Sequence, residues 1–139
     1  EYFSTFGWSN LSCRIGKEVL DIVDEEGLME NAKLMGAKLK DGLVKLQTRH
    51  PLIGDVRGCG LFIGLDLVED RESKEPATAA ADYVINRLRE HRILMGTEGP
   101  AHNILKIRPP ITIEEDDVNM ILQVMGEVLS EAESLMEVQ

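Results

Sequence analysis

Between residues 52 and 68 the chain is glycine-punctuated and β-rich, and this segment limits the folds open to it more than any other. Leu61, Ile63, Leu65 and Leu67 fall on one side of an extended strand, and Phe62, Gly64, Asp66 and Val68 on the other. One side is wholly apolar and the other mixed, so the strand buries a single face. Gly58 and Gly60 mark a turn or bulge between this strand and a preceding one. A sheet that buries one face needs helices against it.

The flanking sequence supplies them. Leu11, Ile15, Val19 and Ile22 form one helical stripe, with Ser9, Asn10 and Ser12 as candidate caps and Cys13 at an interior-looking position. Asp24-Glu25-Glu26-Gly27 interrupts it. Leu28, Ala32, Met35, Leu39, Leu43 and Leu46 then outline a second helix that His50-Pro51 closes. Ala77, Ala81, Val84, Ile85 and Leu88 predict a third, with Pro76 near its start. Ile93–Met95 and Ile104–Arg108 read as short strands, and Gly96–His102 as the loop between them. Val118, Ile121, Leu122, Met125, Val128 and Leu129 form the stripe of a last helix, capped by Thr112 with Glu115 as its capping-box partner. The order is ααββαββα. The expected fold is α+β: a two-layer small domain with helices on one side of a short, mainly antiparallel sheet.

Composition narrows function by exclusion. At 139 residues the chain is one domain, and with aromatics at 4% its core is aliphatic. A formal net charge of −10 argues against nucleic acid, and no run approaches a membrane span. Cys13 and Cys59, the only cysteines, suit a compartment where thiols stay reduced. An intracellular, soluble protein is expected, with nothing to separate cytoplasm from mitochondrion. The opening Glu1-Tyr2-Phe3, without an initiator Met, reads as a cut through a longer protein.

Several motifs point to no chemistry. Gly58-x-Gly60-x-x-x-Gly64 has its third glycine one residue too late for a dinucleotide fingerprint, and no helix begins there. His50, His91 and His102 are isolated and read as surface or loop residues. Neither they nor the cysteines have metal-ligand spacing, so no metal site is expected. No His-plus-acid arrangement supports a nucleophile, and both thiols read as structural. Glu114-Glu115-Asp116-Asp117 suits the first turn of a helix, where the dipole favours negative charge.

Two residues remain as candidate anion contacts. Thr5, ahead of a helix and followed by Gly7, Ser9 and Asn10, can offer hydroxyl and backbone N–H groups to a phosphate, or form an ordinary turn. Arg108 ends an apolar strand at the double proline Pro109-Pro110, where it suits a carboxylate or a surface salt bridge.

These pieces, taken in order, resemble the C-terminal part of the class III aminotransferases that use pyridoxal phosphate. The likeness rests on Ser4-Thr5-Phe6-Gly7, Ser12-Cys13, Gly16, Val19-Leu20, Ile53-Gly54-Asp55-Val56-Arg57-Gly58, Gly60-Leu61-Phe62-Ile63-Gly64 and Lys106-Ile107-Arg108-Pro109-Pro110. It runs over nearly the whole chain. Glu75-Pro76-Ala77-Thr78 and Gly99-Pro100 through Asn103 resemble the branch of alanine–glyoxylate-type aminotransferases and of phospho-lyases acting on phosphoethanolamine and phosphohydroxylysine.

The resemblance implies that residues 1–139 are a C-terminal small domain. It also implies a homodimer in which Thr5 contacts the cofactor phosphate bound by the other subunit, while Arg108 grips the α-carboxylate of an amino-acid substrate. The reaction implied is amino transfer between an amino acid and a keto acid. The cofactor-linking lysine, the aspartate on the pyridine nitrogen and the aromatic over the ring all lie upstream in the family, so this chain has no catalytic residue and is expected to be inactive alone. Trp8 stands where the family usually has glycine in Thr-Phe-Gly-Gly-Asn-Pro, in a loop close to cofactor and partner. The related phospho-lyases tend to carry lysine at the position of Arg108, which favours transamination over phosphate elimination. A non-catalytic association module is a further alternative.

Overall fold

The computed structural model describes residues 3–5, 7 and 9–136. In chain order the elements are α1 (Asn10–Glu25), α2 (Leu28–Gln47), β1 (Ile53–Cys59), β2 (Phe62–Leu67), α3 (Thr78–Glu90), β3 (Gly96–Glu98), β4 (Ile104–Ile107) and α4 (Glu115–Met136). The strands form one antiparallel sheet in the order β1-β2-β4-β3. The α+β class and the ααββαββα order are as the sequence predicts.

One face of this sheet is the core. Ile53, Ile63, Leu65, Leu67, Leu105 and Ile107 are buried against Leu39, Leu43 and Leu46 of α2, Ala81, Val84 and Leu88 of α3, and Val118, Met125 and Leu129 of α4. Each fully buried aliphatic side chain contributes about 1.5–3 kcal/mol of hydrophobic stabilisation before entropy is counted. β1 and β2 meet through the two residues Gly60-Leu61, and Gly60 takes the left-handed conformation (φ 53°). The bulge lies elsewhere, at Gly54, where the β1–β2 register shifts.

Backbone groups at the element ends are tied down by side chains. Arg71 donates to the carbonyls of Gln47, His50 and Ile53, closing the exit from α2. Asn103 is buried and donates to Leu67 O and Asp66 Oδ1, both at 2.7 Å, which carries the β2–β4 pairing past its last rung.

Four local expectations are corrected. The third strand is Gly96–Glu98, not Ile93–Met95. Arg92 leaves α3 in a left-handed conformation and the Ile93 N–H returns to Leu88 O (2.9 Å), so Ile93 seals the helix end and pairing starts three residues later. Thr112 does not cap α4. The turn from Pro110 O to Ile113 N (3.0 Å) precedes it, and Asp117 accepts from the Glu114 N–H (3.3 Å) as the reciprocal half of a capping box. His50 is buried, bonded to Glu133 at 2.9 Å, rather than a surface residue. Cys13 is exposed, as is Cys59.

The last point belongs to α1 as a whole. Ser9 caps it, and Arg14–Glu18 and Lys17–Asp21 pair along its polar side. Among the described residues it packs on α2 alone. None of its residues is buried, and Leu11, Ile15, Val19, Leu20 and Ile22 are all exposed.

Two outcomes test this arrangement. A Cβ at Gly36 would fall on the Gly60 backbone, whereas one at Gly42 would meet only the end of the Leu122 side chain. Thermal unfolding followed by circular dichroism should therefore rank Gly36→Ala well below Gly42→Ala, the first losing about 1–3 kcal/mol or more to overpacking. Glu131 of α4 accepts from Arg87 and Tyr83 of α3, and the Arg87 contact above all holds its pKa below the ordinary 4.5. Its contribution is full above that value and fades as pH falls through the depressed pKa. The Tm gap between wild type and Glu131→Gln should close on the acid side, and a gap independent of pH would contradict the assignment.

Candidate functional site

The alternation that buries Leu105 and Ile107 sends Lys106 and Arg108 to the opposite, open face of the sheet. In register, Arg57, Gly64, Lys106 and Gly96 form one row across this face, and Asp55, Asp66, Ile104 and Glu98 the next. Acidic and basic groups thus stand beside one another.

Most of the charge is satisfied internally. Arg57 bonds Asp55 at 2.7 Å and Asp66 at 3.2 Å, and the Asp55 hydrogen bond above all raises its pKa. Lys106 pairs with Glu98. Arg108 is exposed and makes no ion pair among the described residues. Its guanidinium carbon lies over the ring of Phe62, 5.9 Å from the centroid.

A cleft of about 680 Å³ opens beside it, lined by Met95, Lys106, Arg108, Pro109, Thr112 and Met120 among others. Its floor follows from the turn out of β4. Pro109 removes a backbone donor and restricts Arg108 to extended conformations, so the ladder stops there. Asn31 of α2 then donates to both Ile111 O (2.9 Å) and Ile113 O (3.0 Å), tying the turn down before α4 begins. Arg108 is therefore an exposed cation on a well-anchored backbone.

Thr5 lies in a bend ahead of α1, exposed, where Gly7 N–H donates to Ser4 Oγ at 3.0 Å. Phe6 and Trp8 lie outside the described residues, and so does any effect of Trp8 on this loop. No described contact brings Thr5 and Arg108 together. Among the described residues there is no cluster of metal-ligating side chains, and no helix is long and apolar enough to cross a membrane.

Phe62, Asn31 and Glu98 were not singled out from sequence. Each reaches the site across the fold, through strand register or packing, and only the alternation of β2 hinted that Phe62 would face outward.

The pattern of the family described as Aminotransferase class-III matches residues 1–129. This chain is 39% identical over 129 residues to "Alanine–glyoxylate aminotransferase 2 homolog 2, mitochondrial" of Arabidopsis thaliana, covering 93% of this chain and 27% of that protein. It is 40% identical over 130 residues to "Ethanolamine-phosphate phospho-lyase homolog 1" of Caenorhabditis elegans, covering 93% of this chain and 28% of that protein. Among solved structures, a phospholyase from Arthrobacter in complex with phosphoethanolamine superposes with a TM-score of 0.86 at 33% identity, over 93% of this chain and 31% of that one. The omega transaminase from Pseudomonas jessenii in complex with PMP gives 0.75 at 33% identity, over 84% of this chain and 25% of that one. The chain thus spans under a third of the length of the relatives it matches.

The carboxylates of the outer face make their own test. Asp55 and Asp66 sit directly opposite on neighbouring strands, and Arg57 bridges them. Arg57→Met should cost on the order of 1 kcal/mol near neutrality, the pair being largely solvent-screened. The loss should shrink in high salt or at acid pH in urea titrations. A loss unchanged by both would mean that Arg57 acts through packing instead.

Proposed function

The chain belongs to the class III aminotransferase family, and from that premise we propose that it is the C-terminal small domain of a pyridoxal-phosphate-dependent enzyme that moves an amino group between an amino acid and a keto acid. The observation that carries this reading is the state of Arg108. Among the described residues of the outer sheet face it is a cation without a carboxylate partner, it borders the cleft, and the resemblance implies for it the role of substrate-carboxylate arginine.

In this reading Arg108 binds and orients. A guanidinium offers a planar fork of N–H donors that fits both oxygens of a carboxylate, so it fixes substrate direction as well as charge. Thr5 supplies the second anion contact. Its exposed place ahead of the α1 N-terminus suits a phosphate, with the helix dipole adding to the hydroxyl and backbone N–H donors. The residues present therefore fit the phosphate side of the cofactor. Pyridoxal phosphate, when bound, supplies the electron sink for the reaction.

Among the described residues, none beside Arg108 is a free lysine that could move a proton. Lys106, the lysine beside Arg108, is engaged by Glu98. Activity is accordingly assigned to a larger homodimeric assembly, in which Thr5 faces the cofactor of the partner subunit, and the isolated chain is inactive.

A second reading, supported by the phospho-lyase relative and the Arthrobacter neighbour, is elimination of phosphate and ammonia from a phosphorylated amine. The resemblance, which implies lysine in place of Arg108 in the related phospho-lyases, leans toward transamination.

The test is kinetic. In the complete enzyme Arg108→Ala should lower kcat/KM for amino-acid substrates by about 2–5 kcal/mol of transition-state binding, with keto-acid-dependent amino transfer as the assay. Phosphate release without a keto acid would favour the lyase. An unchanged kcat/KM for every substrate would leave the domain a role in association alone.

A further inference from the structure

A second cleft, of about 540 Å³, opens at the Asp55–Asp66 end of the outer face. Two loops wall it, and they hold Pro76 of Glu75-Pro76-Ala77-Thr78 and Pro100, Ala101 and Asn103 of the segment from Gly99. The proposed function makes no use of either segment. The loops are tied to each other and to the sheet. Thr78 Oγ1 donates to Ala101 O (2.6 Å), Val68 bridges to Pro76, and Asp70 Oδ1 accepts from the Glu72 and Ser73 N–H groups (3.1 and 2.8 Å). With a proline on each loop, the cleft is formed before any ligand arrives.

Its lining is incompletely satisfied, and in a definite order. Asn103 is only 7% exposed, and it borders the cleft. Its Nδ2 uses both hydrogens, on Asp66 Oδ1 and Leu67 O, and its Oδ1 accepts from no described residue. A sealed acceptor would be costly, and no side-chain oxygen of the described residues is sealed without a partner, so this one opens to the cleft. Beside it Asp55 and Asp66 share the single guanidinium of Arg57, two carboxylates against one cation, so the floor keeps a net negative charge. The loop wall carries the opposite sign. Lys74 lines the cleft, is held in the left-handed conformation (φ 59°), and makes no ion pair among the described residues. Arg71, the other cation there, donates to the carbonyls of Gln47, His50 and Ile53.

We propose that this cleft binds a small zwitterion, with its ammonium on Asn103 Oδ1 and the Asp55–Asp66 pair and its carboxylate on Lys74. A simple cation would meet Lys74 and Arg71, and a simple anion would meet the aspartates. A molecule with an ammonium at one end and a carboxylate at the other meets opposite charge at both. The ammonium also brings three donors, enough for the amide oxygen and both carboxylates. The proposal stands or falls independently of the role given to Arg108.

The experiment is a titration of the 139-residue chain followed by amide NMR at low ionic strength. The probes are β-alanine and ε-aminocaproate, which bracket the spacing of the two charges, with propionate and propylamine as controls carrying one charge each. At least one of the amino acids should shift the Asn103 side-chain amide and the backbone amides of Lys74 and Ala101, with a Kd on the order of 1 mM. Each control lacks one contact and should bind about 10-fold more weakly. Lys74→Asn removes the ammonium with a residue that tolerates the left-handed backbone, and Asp55→Asn removes the excess negative charge while Asp66 still pairs with Arg57. Both positions are exposed. Each variant should weaken the amino acid about 5- to 10-fold, and Lys74→Asn should not weaken propylamine. Shifts confined to other residues, or no shift with either amino acid at about 10 mM, would overturn the proposal. So would binding of either control as tight as that of the amino acids, or binding that survives either substitution undiminished.

Discussion

The pairing of β2 with β4 is the constraint from which the rest follows. Ile63 and Leu65 face Ile107 and Leu105 in register, and all are buried under the helices. A slip of one residue would carry Lys106 and Arg108 into that core, at a cost of several kcal/mol per uncompensated charge. The same apolar pattern that stabilises the domain therefore fixes the direction in which Arg108 points. Stability and presentation of the cation are one structural decision.

Electrostatics on the open face then separates structural charges from the available one. Arg57 bridges two facing aspartates that would otherwise repel across the ladder, and Glu98 pairs with Lys106. Past the end of β4 Arg108 makes no ion pair among the described residues, and Pro109 forbids a further rung. The Phe62 ring lies at the facing position, its centroid 5.9 Å from the Arg108 guanidinium carbon.

Much of this was legible in the sequence because periodicity reports burial. The β2 alternation, the α2 and α4 stripes and the element order all follow from which residues leave water. Arg108 was legible as a strand-end cation, and the role that the family resemblance implies for it belongs to the proposed reading. What escaped detection depended on contacts across the fold. Ile93 was apolar because it seals the end of α3, so the strand expected there began three residues later. Thr112 had cap chemistry, but the Pro110–Ile113 turn placed Glu114 at the cap position instead. His50 gave no sign of burial because its partner, Glu133, lies 83 residues on. The Phe62–Arg108 contact needed the register, which no single strand declares.

α1 shows the converse: a pattern read correctly whose meaning lies beyond its own packing. Its apolar stripe is intact, yet none of it is buried. The helix is held by the Ser9 cap and two i,i+4 ion pairs, together about 1–2 kcal/mol, where burial of the stripe would contribute several times more. Thr5 hangs on this weakly anchored helix, and Arg108 on the most firmly anchored part of the sheet. No described contact joins them. If both serve one active site, the geometry between them is set by whatever α1 packs against. In the proposed reading, Arg108 is the firmly anchored contact, and the placement of Thr5 follows from what α1 packs against.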